Sequence, residues 1–547
     1  MGEARQFDRF IHQLDTDQGA AFWQGEASDT VELIKWHMFM GFSRIGTGAG
    51  ILRRNGKHES GAKGMGRAHQ IADIEGLANT FHADAKIAAH DIRHFNPAMA
   101  VSLQAARRQG KLSHCRLILV DKLDALMAPK KNIDSAIRGD TAVRGQYEAY
   151  PYPPRDPADE ATRLITGSPS SLVEIEHYVF GRKLAGDEPF RALIAGGGTG
   201  DATIMLASQL AARGLEAAII HLDISSASLE IARARATARG LDSIAFIQAS
   251  LSDLAELKLV IFDYIDCCGV LHHLPDPAAG LKSLVAALQP EGGIGLMLYG
   301  RLGRTGVYEA QDLLRLLADD APDPARVDTA RALLDNLPPT NWLLRNSHIG
   351  DHRNAGDAGI YDLLLHRQDR AYTVPEIFAL ATDANLDITG FIEPARYDPL
   401  NYLADSALRD KAAALPWPDQ CAAAELICGN MKVHICYLVQ SGAGRDIPLQ
   451  LHAQTAIPML NEESGAALAG QLKGAPAISL DFDGAKIRLL LPENAAEIAA
   501  QVNGERSLTE IRRRLGKAGL RLSPNAFSRQ FTELYKALNG INAMFLR

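Results

Sequence analysis

The 547-residue sequence predicts an α/β protein whose main domain is a largely parallel β-sheet with helices on both faces. Two observations carry this prediction. Short apolar runs alternate with helix-like segments from about residue 190 to 441, and one of these runs leads directly into the glycine-rich loop Gly196–Gly200. Such alternation is typical of parallel strands, because each parallel pair needs a long crossover connection.

Composition sets the broad class of the protein. Hydrophobic residues make up 47% and charged residues 22% of the chain, which is ordinary for a globular protein. The formal net charge of −8 disfavours nucleic acid as a partner. No apolar run reaches the roughly 18 residues of a membrane span, and the N-terminus lacks the apolar core of a secretory signal. Six cysteines without a CxxC pair predict reduced thiols, a cytoplasmic location and no metal site.

The first quarter of the chain differs from the rest. Residues 1–145 hold 20 Lys and Arg against 16 Asp and Glu, and eight of the 17 His. Pieces such as 70–80 and 98–108 look helical, but the Gly- and Arg-rich stretch Gly46–Arg67 has no periodicity. We therefore predict an irregular or partly disordered segment over 1–144. An accessory segment and a start codon placed too far upstream are the two explanations.

The elements of the main domain, 145–441, follow from apolar patterning. Helices are predicted at Ala202–Arg213, Ala227–Arg239 and Ala278–Leu288. A helical insertion is predicted at about 300–380, and Thr373 with Glu376 forms a capping-box pattern. The predicted strands are Ala192–Ala195, Ala217–Leu222, Ile244–Gln248, Leu259–Ile265, Ile294–Tyr299, Leu386–Glu393 and Met431–Val439.

A linker over 442–477 and a small α+β domain over 478–547 complete the predicted architecture. Asp483-Gly484 predicts a hairpin turn, and helices are predicted at Asn494–Gln501, Ser507–Leu515 and Pro524–Leu538, before a short strand at 544–546. This layout resembles a winged-helix-like domain, and 502–511 resembles part of a peptide-binding chaperone. Peptide or protein contact is therefore the favoured role. Arg512–Arg514 and Lys517 could instead contact the phosphates of a nucleic acid, but a charge run of this kind is usually a solvated helix face.

The glycine loop is the strongest functional signal. Its glycines permit close approach of the backbone to a ligand, and the helix that follows offers free N–H groups. The dinucleotide pattern requires a glycine five positions after Gly196, where Asp201 stands. The i, i+2, i+4 spacing of Gly196, Gly198 and Gly200 fits a second class of nucleotide-binding loop. Asp223 ends the next strand, where a carboxylate can accept the two hydroxyls of a ribose.

Loop, acid and strand order together resemble the class I S-adenosylmethionine-dependent methyltransferases, from about 190 to 440. The resemblance implies a Rossmann-like seven-stranded methyltransferase sheet with S-adenosylmethionine as cofactor. Many members of that family have an acid where this chain has Ser250, with Asp253 three residues on. Ser250 could still hydrogen-bond adenine, directly or through water, and Asp253 could equally face solvent or contact the cofactor. The cofactor-binding residues that the resemblance implies are Ala195, Gly196, Gly197, Gly198, Thr199, Gly200, Asp223, Ile224, Ser225, Ser250, Leu251, Cys268 and Gly269.

Several short motifs are similar to one bacterial subgroup, whose members often carry tetratricopeptide repeats that this chain lacks. The motifs are QYEAYPYP (146–153), GVLHHLPDP (269–277) and YDLLLH (361–366). The first motif places Tyr147, Tyr150 and Tyr152 before the core. They could fold over the cofactor as a lid, or simply pack.

The acceptor should meet the carboxyl ends of the strands and the insertion. His272 and His273 follow the fourth strand, and one of them could act as a general base, or one could cap the next helix while the other is solvated. Tyr299 ends the fifth strand. Asp362 and His366 are spaced as on one helical face and could hold an acceptor with Tyr361, form an Asp–His base, or be a surface ion pair.

Two functions follow from this sequence. The first is an S-adenosylmethionine-dependent methyltransferase whose acceptor is a small molecule or a protein side chain. The second is a regulatory or scaffold protein that keeps the methyltransferase fold and binds the cofactor without turnover, since fold does not fix function.

Overall fold

A computed structural model describes residues 141–184, 186, 188–318, 322–443, 454–461 and 464–547. The predictions made for residues 1–140 lie outside the described residues. The first described helix, α1, covers Thr141–Ala149, so the predicted boundary at residue 145 falls inside a helix.

The main domain is built on one seven-stranded sheet, as predicted. The strand order is β3-β2-β1-β4-β5-β7-β6; β7 runs antiparallel to β5 and β6, and the other neighbouring pairs are parallel. The strands are β1 Phe190–Ala195, β2 Ala217–Asp223, β3 Ile244–Gln248, β4 Phe262–Cys268, β5 Leu288–Tyr299, β6 Leu386–Phe391 and β7 Val433–Gln440.

Helices cover both faces of this sheet. The helices up to β7 are α2 Leu172–Ile175, α3 Asp201–Ala212, α4 Ser226–Ala238, α5 Pro277–Ala286, α6 Val307–Ala318, α7 Asp323–Asn336, α8 Trp342–Arg345, α9 Asp351–Asn354, α10 Gly356–Ile360, α11 Val374–Asp383, α12 Ser406–Ala413 and α13 Trp417–Cys428. Single π-helical turns extend α2 over Glu176–Phe180 and α10 over Tyr361–Leu365. Within the described residues, no helix combines the length and apolarity needed to cross a bilayer.

Alternation along the strands divides the core into two layers. Leu193 and Ile265 pack into one hydrophobic cluster, whereas Ile194 and Tyr264 pack into the other. Successive side chains of a strand point to opposite faces, so a strand buried on both faces reads as a continuous apolar run. This explains why the patterning located the parallel strands correctly.

Two predicted boundaries need correction. The fourth strand begins at Phe262 rather than Leu259, because residues 254–258 form a turn that ends at Lys258 with φ +49°. The fifth strand begins at Leu288 rather than Ile294, because its first residues pair with Phe262 across a register shift. Main-chain pairing therefore decided both strand starts.

The predicted insertion is a small helical subdomain. Helices α6 to α10 and the following π-helical turn lie between β5 and α11 and share their own core, which includes Val307, Leu343 and Tyr361. Helix α11 packs instead into the core of the sheet through Val374 and Ile377. The insertion thus ends at about residue 366 rather than 380.

The predicted capping box at the start of α11 is present. Thr373 Oγ1 and backbone N–H both donate to the Glu376 carboxylate, and the Thr373 side chain caps the N-terminus. We expect Thr373→Ala to lower the free energy of unfolding by about 1 kcal/mol, since loss of an N-cap typically has that effect. Urea unfolding measures the change. The control is Thr382→Ala, at an exposed position near the other end of α11. Equal stability of Thr373→Ala and wild type would contradict the capping role.

The C-terminal part differs from the prediction at the linker. Strand β8, Pro458–Leu460, pairs with β11, Met544–Leu546, and α14, Gly465–Leu472, packs in the same core, so 454–477 belong to the domain. The Gly- and Ala-rich composition suggested a linker, but Leu468 and Leu472 are buried. The remaining elements are β9 Ala477–Phe482, β10 Ala485–Leu490, α15 Ala495–Ala499, α16 Leu508–Lys517 and α17 Pro524–Asn539.

The C-terminal domain is docked onto the main domain. Phe545 of β11 is fully buried among residues of the sheet core, and His177 contacts the Leu546 carbonyl at 2.7 Å and the Tyr535 hydroxyl at 3.0 Å. The hairpin precedes all three of the predicted helices. The winged-helix likeness of the C-terminal domain and its peptide-binding role stay predictions.

Candidate functional site

The glycine loop opens onto an apolar cavity near the carboxyl ends of the strands. Gly196, Gly198 and Gly200 have φ of +74°, +53° and +103°, a region that favours glycine. A Cβ at Gly196 would lie 2.3 Å from Val270 Cγ2, and one at Gly200 would lie 2.9 Å from Ala232 Cβ. The loop therefore requires glycine both for its conformation and for its packing. Gly200 is also the N-cap of α3.

The cavity has a volume of about 230 Å³ and runs from this loop toward the insertion. Its position at the boundary between β1 and β4 is where the strand order reverses, which is the usual ligand site of an open α/β sheet. The predicted residues that line it are Gly196, Gly197, Gly198, Asp223, Ile224, Ser250, Leu251, Cys268, Gly269, His273, Tyr299, Asp362, Tyr147 and Tyr152.

Asp223 stands at the end of β2, against the glycine loop. Its Oδ2 accepts a hydrogen bond from Gly198 N at 2.7 Å, and its Oδ1 accepts one from Ser225 N at 2.8 Å. Burial raises the pKa of this carboxyl to about 6. Because a carboxylate has about four lone-pair sites, two remain for a ligand in the cavity. Asp253, in contrast, does not line the cavity.

The segment 147–155, which begins in the last turn of α1, covers the loop, and we call it the covering segment. Thr199 Oγ1 donates to the Pro153 carbonyl at 2.8 Å, and Ser225 Oγ donates to the Tyr147 carbonyl at 3.0 Å. Arg155 forms an ion pair with Asp201 at 2.6 Å. Tyr147 and Tyr152 therefore form one wall of the cavity, whereas Tyr150 stacks on Tyr361 outside it, with ring centroids 5.1 Å apart.

A cluster of polar side chains closes the far end of the cavity; we call it the polar cluster, and it consists of Tyr147, His273, Tyr299, Asp362 and His366. The Tyr147 and Tyr299 hydroxyls donate to Asp362 at 3.3 and 3.2 Å. The Tyr147 hydroxyl also lies 3.4 Å from His366 Nε2. Burial, with a smaller contribution from Asp369 and Asp351 opposed by Arg304, raises the pKa of Asp362 to about 7.

The backbone of Gln368 fixes the two histidine tautomers of the polar cluster. Its carbonyl lies 2.9 Å from His273 Nδ1, and a carbonyl only accepts, so that nitrogen carries the proton. Its N–H donates to His366 Nδ1 at 3.1 Å, so His366 carries its proton on Nε2. The rings stack 3.8 Å apart. His273 Nε2 therefore has a lone pair that no hydrogen bond from the described residues occupies, and burial lowers the pKa of His273, which keeps the ring neutral.

His273, Asp362 and His366 bring their ligand-type atoms within 4.8 Å of one another. A metal ion at His366 Nε2 would require that nitrogen to lose its proton, but the Gln368 N–H already occupies the other ring nitrogen. The hydrogen bonds thus favour a proton-handling role over a metal site, and the expected absence of a metal stays a prediction.

Eight of the predicted site residues do not line the cavity. Ala195 is buried in the core, Thr199 and Ser225 anchor the covering segment, and Gly200 caps α3. His272 lies behind Tyr299, with ring centroids 3.9 Å apart, and both its ring nitrogens lack partners within the described residues. The Tyr361 hydroxyl bonds Asp323 and Arg326 inside the insertion, with Tyr150 on its ring. His366 follows the π-helical turn Tyr361–Leu365. The Tyr147 hydroxyl links it to Asp362, since this oxygen lies 3.4 Å from His366 Nε2 and 3.3 Å from Asp362 Oδ1.

Sequence reasoning missed several residues of the cavity wall. Asp266 lies on β4, and its place in an apolar strand was a readable signal. The segment 165–170 also lines the cavity but has no sequence pattern that predicts it. Asp201 lines the wall at the start of α3, and Met297, Val433 and Ile435 supply apolar surface.

Comparison with known proteins agrees with this geometry. Residues 193–294 match a family model described as "Methyltransferase domain". These residues therefore form a domain similar to known methyltransferase domains. The glycine cradle, the open acceptor sites of Asp223 and the cavity between them fit S-adenosylmethionine, which is the cofactor of this domain.

The relatives cover only parts of this chain. An uncharacterized protein of Synechococcus sp. is 32% identical over 285 residues, which are 50% of this chain and 65% of that protein. A ubiquinone biosynthesis O-methyltransferase of Alkalilimnicola ehrlichii is 30% identical over 26% of this chain and 55% of the enzyme. The chain thus spans less than two thirds of either relative.

Among solved structures, PKMT2 from Rickettsia typhi in complex with AdoHcy is similar in outline. It has a TM-score of 0.44 and 15% sequence identity, and the match covers 73% of this chain and 76% of that one.

Proposed function

We propose that the protein transfers a methyl group from S-adenosylmethionine to a hydroxyl group of a small acceptor, with His273 as the general base. The observation that carries the proposal is the lone pair of a neutral His273 Nε2 at the cavity wall, fixed by the Gln368 carbonyl. A base contributes only where the acceptor atom carries a proton, as a hydroxyl does. The O-methyltransferase relatives support this choice of atom.

When bound, S-adenosylmethionine supplies an electrophilic methyl group. The residues of the chain position the reacting groups, exclude water and remove the proton of the acceptor hydroxyl. The covering segment, through Tyr147 and Tyr152, and the insertion, through Asp362, close the cavity over the reacting groups. His273 Nε2 accepts the acceptor proton. The Asp362 carboxylate, held by Tyr147 and Tyr299, lies close enough to stabilise the imidazolium that forms, since opposite charges within a few ångströms attract.

Labelled S-adenosylmethionine tests the proposal. We expect transfer from the labelled methyl group to the low-mass fraction of a lysate from cells that lack this protein, in a product that survives mild base as a methyl ether does. Label on protein would overturn the small-acceptor proposal. Binding of S-adenosylhomocysteine without transfer to any fraction would support the regulatory alternative instead.

A further inference from the structure

Asp266 is the buried carboxylate of the cavity that the mechanism does not use. It lies on β4, in register with Ile194 of β1 and Gly295 of β5, and is 1% exposed. It lines the same cavity as the glycine loop. Along the sheet, β1 separates β4 from β2, so Asp266 and Asp223 stand on the two strands that flank β1.

The hydrogen bonds of Asp266 come from neutral groups. Ser170 Oγ donates to Oδ2 at 2.5 Å, and Cys268 N donates to Oδ1 at 3.1 Å. Within the described part of the chain, no Lys, Arg or His forms an ion pair with this carboxylate. Burial accordingly raises its pKa to about 6. The carboxylate therefore lies in the cavity without a compensating positive charge from these residues.

The other acids of the cavity are compensated differently. Asp201 pairs with Arg155 at 2.6 Å and with Arg235 at 2.7 Å. Asp223 accepts two backbone N–H groups, and Asp362 accepts two tyrosine hydroxyls near Arg304. A buried carboxylate is costly unless it is paired, and of these four Asp223 and Asp266 have no cation among the described residues. Because Asp223 is assigned to the ribose hydroxyls, Asp266 is left for a cation from outside the chain.

We propose that Asp266 receives the α-ammonium group of the methionine portion of S-adenosylmethionine, and that Ser170 holds the carboxylate in position for it. This inference rests on the proposed function. A ligand whose ribose meets Asp223 beside β2 and that crosses the glycine loop after β1 reaches β4 with its other end. The ammonium has N–H groups to donate to a carboxylate, which the sulfonium lacks. Asp266 is bonded by Ser170 and lies two residues before Cys268 on β4, whereas His273 of the polar cluster follows the end of that strand.

The test compares three ligands by titration calorimetry with the full chain. S-adenosylmethionine and S-adenosylhomocysteine both carry the ammonium; 5′-deoxy-5′-methylthioadenosine has the same adenosine but no amino acid portion. We expect Asp266→Asn to weaken the first two by about 10- to 100-fold, as loss of a charged hydrogen bond typically does, and to leave methylthioadenosine within about twofold of wild type. Asp263→Asn is the matched control, since Asp263 lies on the same strand but pairs with Arg191 away from the cavity.

Each other outcome overturns the proposal. A similar loss for methylthioadenosine would show that Asp266 only maintains the cavity. A loss for S-adenosylmethionine alone would assign the carboxylate to the sulfonium. No change for any ligand would remove Asp266 from recognition while leaving the proposed function intact. Wild-type protein that binds neither S-adenosylmethionine nor S-adenosylhomocysteine would contradict the proposed function itself, and this inference with it.

Discussion

Replacing His273 with Asn should lower kcat for methyl transfer by about 10²- to 10⁴-fold, the range in which a general base contributes. Asn is the sharpest substitution because its amide N–H can still donate to the Gln368 carbonyl, as His273 Nδ1 does at 2.9 Å. What it removes is the lone pair at Nε2. Steady-state kinetics with a saturating cofactor measures the loss, and titration with S-adenosylhomocysteine should give an unchanged Kd.

His272→Phe is the matched control for this experiment. The two histidines are adjacent, but His272 does not line the cavity, its ring nitrogens lack partners within the described residues, and it packs against Tyr299 as a ring. The kcat of His272→Phe should stay within a few-fold of that of the wild type. If His272→Phe lost as much activity as His273→Asn, the base would be misassigned or the whole loop would be sensitive to change.

The pH profile of the wild-type rate gives an independent check on the base. Burial lowers the pKa of His273, so the ring is neutral above its usual titration range and becomes protonated only at lower pH. A group in its basic form is active above its pKa and inactive below it. We therefore expect an acid limb of kcat below pH 6.5 that is absent from the residual activity of His273→Asn, whereas a limb near pH 7 from Asp362 should be present in the wild-type profile as well.

Replacing Asp223 with Ala should weaken S-adenosylhomocysteine binding by about 100-fold or more. Two hydrogen bonds from ribose hydroxyls to a carboxylate would be lost, each with a contribution of about 1.5 to 3 kcal/mol, and 100-fold corresponds to about 2.7 kcal/mol. The Gly198 N–H would also lose its acceptor at 2.7 Å, which should loosen the glycine loop. Titration calorimetry measures the effect, and thermal unfolding checks that the variant is folded.

Methylthioadenosine distinguishes Asp223 from Asp266. Because the ribose is present in this ligand, Asp223→Ala should weaken it as strongly as it weakens S-adenosylhomocysteine, in contrast to Asp266→Asn. Asp253→Asn is the control, since Asp253 follows β3 but does not line the cavity. Unchanged affinity for all ligands in Asp223→Ala would contradict the ribose assignment.

The parts of the fold that depend on local chemistry were predictable. The apolar runs located the parallel strands, Thr373 and Glu376 gave the start of α11, and Asp483-Gly484 gave the hairpin. The linker prediction for 442–477 failed where composition was used instead of pattern, because α14 buries Leu468 and Leu472 despite its Ala and Gly content. Strand starts at Phe262 and Leu288 also needed the partner strand, since register is a property of a pair.

The sequence by itself determined the cofactor half of the site. Gly196 to Gly200 and Asp223 lie within one strand–loop–helix–strand unit, so their spacing along the chain fixes their spacing in space. Only the tertiary structure decided the acceptor half. It separated His273 from its neighbour His272, joined Asp362 to His366 through Tyr147, and brought Asp266 to the cavity. The physical reason is that the hydrogen bond that sets the His273 tautomer comes from the Gln368 carbonyl, 95 positions further along the chain.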